Sequence, residues 1–521
     1  MSSLLSDLGS GPWLMNSWLS TLPAYLPPLL FSLLIITALS VIKGGFPSGV
    51  VKNVRALLKS ASELRPHRSR LTPRSPAAPV EKGSLAPNVR APHNLNCPDE
   101  LSVWQQVDTE LGTVQNAHQH FWWSKHSGKA LAVLLHAAGN PESVQYRDLK
   151  FFANVVSPYL GVSHDVTEGS TPRWPSFMTD DGTPLELSWD WGTKDDSPTI
   201  RYSIEPIGLG AGTPLDPGNL IAGPAFQKHL ENSLLDMRLE WFQHFRDFFD
   251  VRNGTSSFVK DAEDHNTSIF YAFDLSPTHV TAKAYFFPKI RAQVTGQSNL
   301  EVLTQAIRAA PYSTSDNLKA WDMFCNFSSE KDGEALEHEM LAIDFIDPLE
   351  SRIKIYFRCR ETTFNSVINV MTIGGRIKNP KIYQGLEDLK RLWNSLFDID
   401  AGTSPGQPLT NVGHRTAGLL YNIEFRLDEE FPVAKIYIPV RHYASSDEAI
   451  IQALDIYFKY HQRGKYMPNY VRAMRTLFSR KSMQEKSGIH TYIGCAIRPN
   501  GTLRVVSYFK PGISEFEVKS E

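Results

Sequence analysis

Five times between Pro184 and Pro511 a short β-like run is followed closely by a second, and each couple reads as a hairpin. The couples are PLELSWDW with TIRYSIEP, SIFYAFDL with TAKAYFFP, LAIDFID with SRIKIYFR, LLYNIEFRL with VAKIYIPV, and TYIGCAIRP with TLRVVSYFKP. Between successive couples, at intervals of roughly 70 to 80 residues, the apolar spacing becomes that of two amphipathic helices. SSDEAIIQALDIYFKYH shows the type: Ser445 and Glu448 are placed for a capping box, while Ile450, Ile451, Leu454 and Tyr457 form one stripe. In the last couple, Asn500-Gly501 predicts a type I′ turn. An open sheet of ten strands would leave exposed edges, which closure removes. The expected fold is therefore α+β: a ten-stranded antiparallel β-barrel of about five ααββ repeats with an outer ring of helices.

Side chains of a strand alternate between its faces. In RIKIYFR the residues Ile353, Ile355 and Phe357 share one side, and Arg352, Lys354, Tyr356 and Arg358 share the other. The apolar side must meet the helices, so the polar side lines the lumen. Each second strand places a cation there, and four of the five add a tyrosine: Arg201; Lys283 with Tyr285; Arg352 and Lys354 with Tyr356; Lys435 with Tyr437; Arg504 with Tyr508. One such strand is read as snorkelling lysines and ordinary strand tyrosines on a solvated face. Recurrence at matching positions points instead to a bound polyanion such as a pyrophosphate, since converging cations repel one another without one. Electron-rich rings packed nearby would stabilise a carbocation and exclude water.

The remaining composition narrows the classes. A net charge of −2 over 521 residues argues against a nucleic-acid binder. Cys97, Cys325, Cys359 and Cys495 contain no CxxC pair, which argues against a zinc site or disulfide framework and for a reducing compartment. Asp180-Asp181 and Asp195-Asp196 do not continue into DDxxD magnesium motifs, so no metal or other cofactor is expected. GTSPG (402–406) lacks a preceding strand for a nucleophile elbow, and GLGAG (208–212) runs into prolines instead of a helix. His118, His120 and His126 are irregularly spaced and read as surface helix residues.

Ahead of the repeats, Leu8 to Ile42 contains no charged residue, and Tyr25 to Ile42 is long enough to cross a bilayer. Residues 1–43 are thus expected to hold one transmembrane helix over about 25–42, with the positive charge after it placing the rest in the cytosol and the endoplasmic reticulum as a candidate membrane. A cleaved signal peptide and a buried helix are the alternatives. Residues 44–98, rich in Pro, Ser and Arg, read as a disordered linker, and 99–521 as the barrel domain.

From about Trp104 to Pro511 the chain resembles the fungal aromatic prenyltransferases of the dimethylallyltryptophan synthase type. The likeness is carried by WPSFMTDDGTPLELSW, by IRYSIEPIGLGAGTPLDPGN, and by the Lys-x-Tyr and Arg-x-Lys-x-Tyr strands. It implies the same barrel, and a dimethylallyl group moved from dimethylallyl diphosphate to an indole-type acceptor in secondary metabolism, such as indole alkaloid or indole diterpene biosynthesis. By position it implies that Glu186 accepts the indole N–H, that Arg201, Lys283, Arg352 and Lys354 bind diphosphate, and that Tyr285, Tyr356, Tyr437 and Tyr508 form the shield. Phe177 and Met178 fall where the amino-acid part of the acceptor is held. Lys435, Arg504 and Phe287 depart from the glutamine and two tyrosines usual in tryptophan prenyltransferases, and Phe270 stands where a lysine takes the arene proton. A phenolic or polyketide acceptor, and a non-catalytic carrier of a phosphorylated lipid, are the rival readings. The oligomeric state is left open.

Overall fold

The computed structural model describes residues 101–511 apart from 113–115, 165–171, 193–195, 251–264 and 331–335. Ten strands, β1 (Leu185–Asp190), β2 (Thr199–Ile204), β3 (Ile269–Leu275), β4 (Val280–Phe286), β5 (Leu336–Asp344), β6 (Ile353–Cys359), β7 (Leu419–Phe425), β8 (Val433–Ile438), β9 (His490–Ile497) and β10 (Leu503–Phe509), close into one barrel. Neighbours in the chain are neighbours in the barrel, every pairing is antiparallel, and β1 pairs with β10 to complete the ring. The five hairpins expected from the alternating runs are all present.

A pair of helices precedes each hairpin: Ser127–Ala137 with Glu142–Phe151, Ala222–Ser233 with Glu240–Phe249, Asn299–Arg308 with Lys319–Ser328, Phe364–Met371 with Pro380–Phe397, and Asp447–Tyr460 with Met467–Leu477. Each buries one stripe. In Asp447–Tyr460 the stripe is Ile450, Ile451, Leu454 and Tyr457, and it joins Ile353, Ile355 and Phe357 of β6 in one continuous core between helices and barrel. Complete burial of a side chain such as Leu454 contributes about 1.5–3 kcal/mol. A second, smaller cluster of Phe270, Phe287, Met340, Ala342, Tyr356, Leu420 and Tyr437 lies on the other strand face, inside the barrel.

Local details differ from the expectations in three places. The cap of helix Asp447–Tyr460 is Ser446, whose hydroxyl accepts from Ala449 N, so Ser445 and Glu448 form no capping box. Asp447 explains the shift: its carboxylate is buried and accepts the backbone N–H groups of Ile489 and His490, which fixes the helix start against β9. In the last hairpin only Gly501 has a positive φ, at 87°, while Gly501 N donates to Arg498 O. Pro499, locked near the φ of an ordinary type I turn, excludes the type I′ form there. His126, expected on the surface, is buried between the rings of Phe121 and Trp122.

The expected single-pass membrane protein is corrected. No helix among the described residues is long and apolar enough to cross a membrane. The stretch 25–42, on which the anchor and the membrane partner rested, lies outside the described residues, as do the linker 44–98 and Cys97. An apolar run of spanning length is necessary for a transmembrane helix but does not by itself make one.

Candidate active site

The lumenal cations are not left to repel one another. Where two hairpins meet, the register sets a cation on the second strand opposite an acid on the next first strand: Arg201 opposite Asp274, Lys283 opposite Asp344, and Lys354 opposite Glu424. Ion pairs follow at five of the six cations of the belt. Arg201 Nη2 lies 2.6 Å from Asp190 and its Nε 3.1 Å from Asp274, which also holds Lys283 Nζ at 2.5 Å. Asp344 takes Lys354 Nζ at 2.6 Å and Arg352 Nε at 3.0 Å, Glu424 takes Arg352 Nη1 at 3.2 Å, and Arg504 Nη2 reaches Asp190 at 2.7 Å. This pairing allows the face that looked too cationic for an interior to be buried, with Lys354 only 4% exposed.

Four acids do not balance six cations. At the fourth junction Lys435 faces Ala496 where the other junctions carry an acid. Its ammonium donates to Tyr508 Oη at 3.0 Å and sits 4.3 Å from the centre of the Tyr437 ring, without a carboxylate partner among the described residues. Gly494 beside it leaves the space these groups need, since a Cβ there would lie 2.9 Å from the Tyr508 ring and 3.1 Å from Lys435 Cε. Burial, reinforced by neighbouring cations, pushes the Lys354 ammonium down to about 8 and lowers Lys283 and Lys435 as well. Asp190 and Asp274 are held well below the carboxylate range: burial opposes this, but Arg201 with Arg504 or Lys283 outweighs it. A belt in which lysines are driven towards losing protons is short of negative charge, and an incoming polyanion supplies it.

Next to the belt stands a row of four tyrosines, one from each of β4, β6, β8 and β10. Ring centroids are 5.7 Å apart from Tyr285 to Tyr356, 5.7 Å from Tyr356 to Tyr437, and 5.6 Å from Tyr437 to Tyr508. Tyr356 and Tyr437 share a hydroxyl contact of 3.2 Å, and Asn422 Nδ2 donates to Tyr437 Oη at 3.2 Å. The rings line a cavity of about 800 Å³, solvent at its mouth included. Phe177, Met178, Phe270, Phe287 and Glu186 complete much of its wall, so the tyrosines, the acceptor residues and the carboxylate expected from sequence come together in one space.

Glu186 Oε1 accepts from Thr491 Oγ1 at 2.6 Å, a contact between residues 305 positions apart. Burial raises its carboxyl to about 7, against the opposing effects of the Thr491 hydrogen bond and Arg441. Among the lining residues, Arg358 pairs with Glu339 at 2.8 Å and Arg441 with Asp180, outside the lining, at 3.2 Å. Sequence reading missed Thr491, Arg441 and the four acids of the belt. The acids did leave a signal: four first strands end their lumenal set on one, in LSWD, YAFD, LAID and YNIE, giving Asp190, Asp274, Asp344 and Glu424. No group of three or more metal-binding side chains occurs among the described residues.

A closed antiparallel barrel, wrapped in helix pairs and joining a cationic belt to an aromatic cavity, defines the prenyltransferase barrel class. The family model described as tryptophan dimethylallyltransferase matches residues 118–473. The 4-O-dimethylallyl-L-tyrosine synthase of Claviceps purpurea is 32% identical over 402 residues, covering 76% of this chain and 88% of that enzyme. The 7-dimethylallyltryptophan synthase of Aspergillus fumigatus is 32% identical over 405 residues, covering 75% and 84%. The crystal structure of AnaPT from Neosartorya fischeri has the same fold, with a TM-score of 0.66 over 78% of this chain and 97% of its own at 23% identity. The chain belongs to the tryptophan dimethylallyltransferase family and is a metal-independent aromatic prenyltransferase.

Proposed function

We propose that the protein moves a dimethylallyl group from dimethylallyl diphosphate to an indole-type acceptor in secondary metabolism. One observation carries the reading: the cavity joins a row of four tyrosines to the half-buried Glu186 carboxylate, and the belt short of negative charge meets that row where Lys435 touches Tyr437 and Tyr508. In this reading Arg201, Lys283, Arg352, Lys354, Lys435 and Arg504 hold the diphosphate as its C–O bond breaks, stabilising the charge that collects on the leaving group. Tyr285, Tyr356, Tyr437 and Tyr508 face the allylic cation and keep water from it. Glu186 holds the indole N–H, Phe177 and Met178 contact the acceptor, the ring carbon attacks, and loss of a proton restores aromaticity.

A phenolic acceptor is the second reading. It is favoured by the near-neutral Glu186, which could take a hydroxyl proton, and by the likeness to an enzyme named for tyrosine O-prenylation. Incubation with labelled dimethylallyl diphosphate and a panel of indoles and phenols tests both. Indole products support the first reading, and phenol products alone support the second.

Two expected outcomes follow directly. Turnover should persist in excess EDTA, because protein cations occupy the place that a metal would take at the diphosphate; loss of activity restored by magnesium would refute the belt's role. Removal of residues 1–95 should leave a folded, active domain, because every lumenal residue lies beyond Trp174. We accordingly propose 99–521 as the catalytic domain. A truncated protein that folds but does not turn over would count against that boundary.

A further inference from the structure

Along β9 the strand faces alternate regularly only as far as Tyr492. Ala496, Gly494 and Tyr492 lie opposite Arg504, Val506 and Tyr508 of β10 and share their lumenal face. Regular alternation would next turn Thr491 out to the helices and His490 back to the lumen. The register shifts instead: Tyr508 pairs with Tyr492 but Phe509 pairs with His490, so Thr491 is the extra residue of a β-bulge. His490 turns outwards, against Tyr470 of helix Met467–Leu477 and the Phe509 ring. Thr491 turns with Tyr492 towards the lumen, where its Oγ1 donates to Glu186 Oε1 at 2.6 Å. Within the reading above, in which Glu186 meets an aromatic acceptor, we propose that Thr491 is a positioning residue: re-aimed by the bulge, it fixes one oxygen of Glu186 and leaves the other for the acceptor.

The helix layer pins the bulge. Asp447 accepts from Ile489 N at 3.0 Å and His490 N at 2.7 Å and lies 2.8 Å from His490 Nδ1, while Tyr470 Oη lies 2.8 Å from His490 Nε2. Asp447, Tyr470 and His490 are all buried, so His490 cannot swing back and Thr491 keeps its inward direction. A hydroxyl suits the place. It donates to an ionised carboxylate and can accept from a protonated one, whereas a lysine or arginine there would hold Glu186 ionised. Burial raises the Glu186 carboxyl, and among the groups that oppose this the Thr491 hydroxyl outweighs Arg441, whose pull Asp180 partly offsets. Tyr508, on β10, also feels the Glu186 charge. Because Arg441 is itself paired with Asp180 at 3.2 Å, the direct hydrogen bond from Thr491 chiefly sets how readily Glu186 ionises.

The test uses the full chain, dimethylallyl diphosphate and whichever aromatic acceptor the wild type converts. Thr491→Val keeps the shape of the side chain and removes the hydroxyl. The rise of transfer with pH, centred near 7 in the wild type, should move up by about one to two pH units, the size of a lost hydrogen bond to a charged group. Transfer at neutral pH should accordingly fall about 10-fold and recover as the pH is raised, while hydrolysis of dimethylallyl diphosphate stays near wild type throughout. Thr491→Ser, which keeps a hydroxyl, should retain the wild-type midpoint. Thr491→Ala also lacks the hydroxyl and gives the same reading if valine distorts the bulge. A wild-type midpoint in both hydroxyl-free variants, a loss of the same size at every pH, or equal loss of transfer and hydrolysis would overturn the proposal. Failure of the wild type to prenylate any aromatic acceptor, or a pH rise that Glu186→Gln leaves unchanged, would instead overturn the reading of Glu186 on which it rests.

Discussion

Lys354→Ala is expected to slow both dimethylallyl transfer and hydrolysis of dimethylallyl diphosphate, whatever the acceptor, by roughly 2–4 kcal/mol of transition-state stabilisation. Lys354 is the most deeply buried cation of the belt and is paired with Asp344 at 2.6 Å. As the C–O bond breaks, negative charge concentrates on the diphosphate, and a fixed ammonium in this dry space gains strength with it. The fold should tolerate the change, because Asp344 keeps Arg352 at 3.0 Å and is not left as an orphaned buried charge. Thermal unfolding of the variant checks this. The protonation state adds a second signature. Since the Lys354 ammonium lies near 8 in the donor-free protein, it deprotonates as pH rises, and kcat/KM for dimethylallyl diphosphate should decline above about pH 8. A Lys354→Ala enzyme with normal donor hydrolysis would show that the belt does not hold the leaving group.

Glu186→Ala is expected to fail in a different way, sparing donor hydrolysis and weakening transfer to N–H acceptors by about 1.5–3 kcal/mol, the value of one charged hydrogen bond. Glu186 lines the cavity away from the ion-paired belt and is bonded only to Thr491 among the described residues. Its carboxyl, raised to about 7 first by burial, is protonated below that pH and ionised above it. Only the ionised form accepts well from an indole N–H, so wild-type transfer should rise with pH through about 7, and Glu186→Gln should flatten that rise. The stability consequence has the opposite sign. A folded-state pKa above the unfolded value favours the protonated form, so Glu186 stabilises the fold most at low pH and loses that contribution as pH rises through about 7. Equal loss of hydrolysis and transfer in Glu186→Ala would mean that the carboxylate is structural or serves the donor.

The alternation in PLELSWDW or RIKIYFR, and the stripe at Ile450, Ile451, Leu454 and Tyr457, report the inner and outer faces of single elements, and these were legible without coordinates. So were the cations and tyrosines of the second strands, because a period of two is a property of a few consecutive residues. The loop segment that holds Phe177 has no period, and Phe177 was placed only through resemblance.

What tertiary structure decided was which hairpin lies beside which, and in what register. Asp274 opposite Arg201, Asp344 opposite Lys283 and Glu424 opposite Lys354 are contacts across hairpin junctions, made only when the barrel closes. They turned a row of repelling charges into a partly balanced belt and left Lys435 facing Ala496. The same closure brought Thr491 to Glu186. Local periodicity fixes where a side chain points. Its partner is set by long-range pairing, and no short window of sequence contains that information.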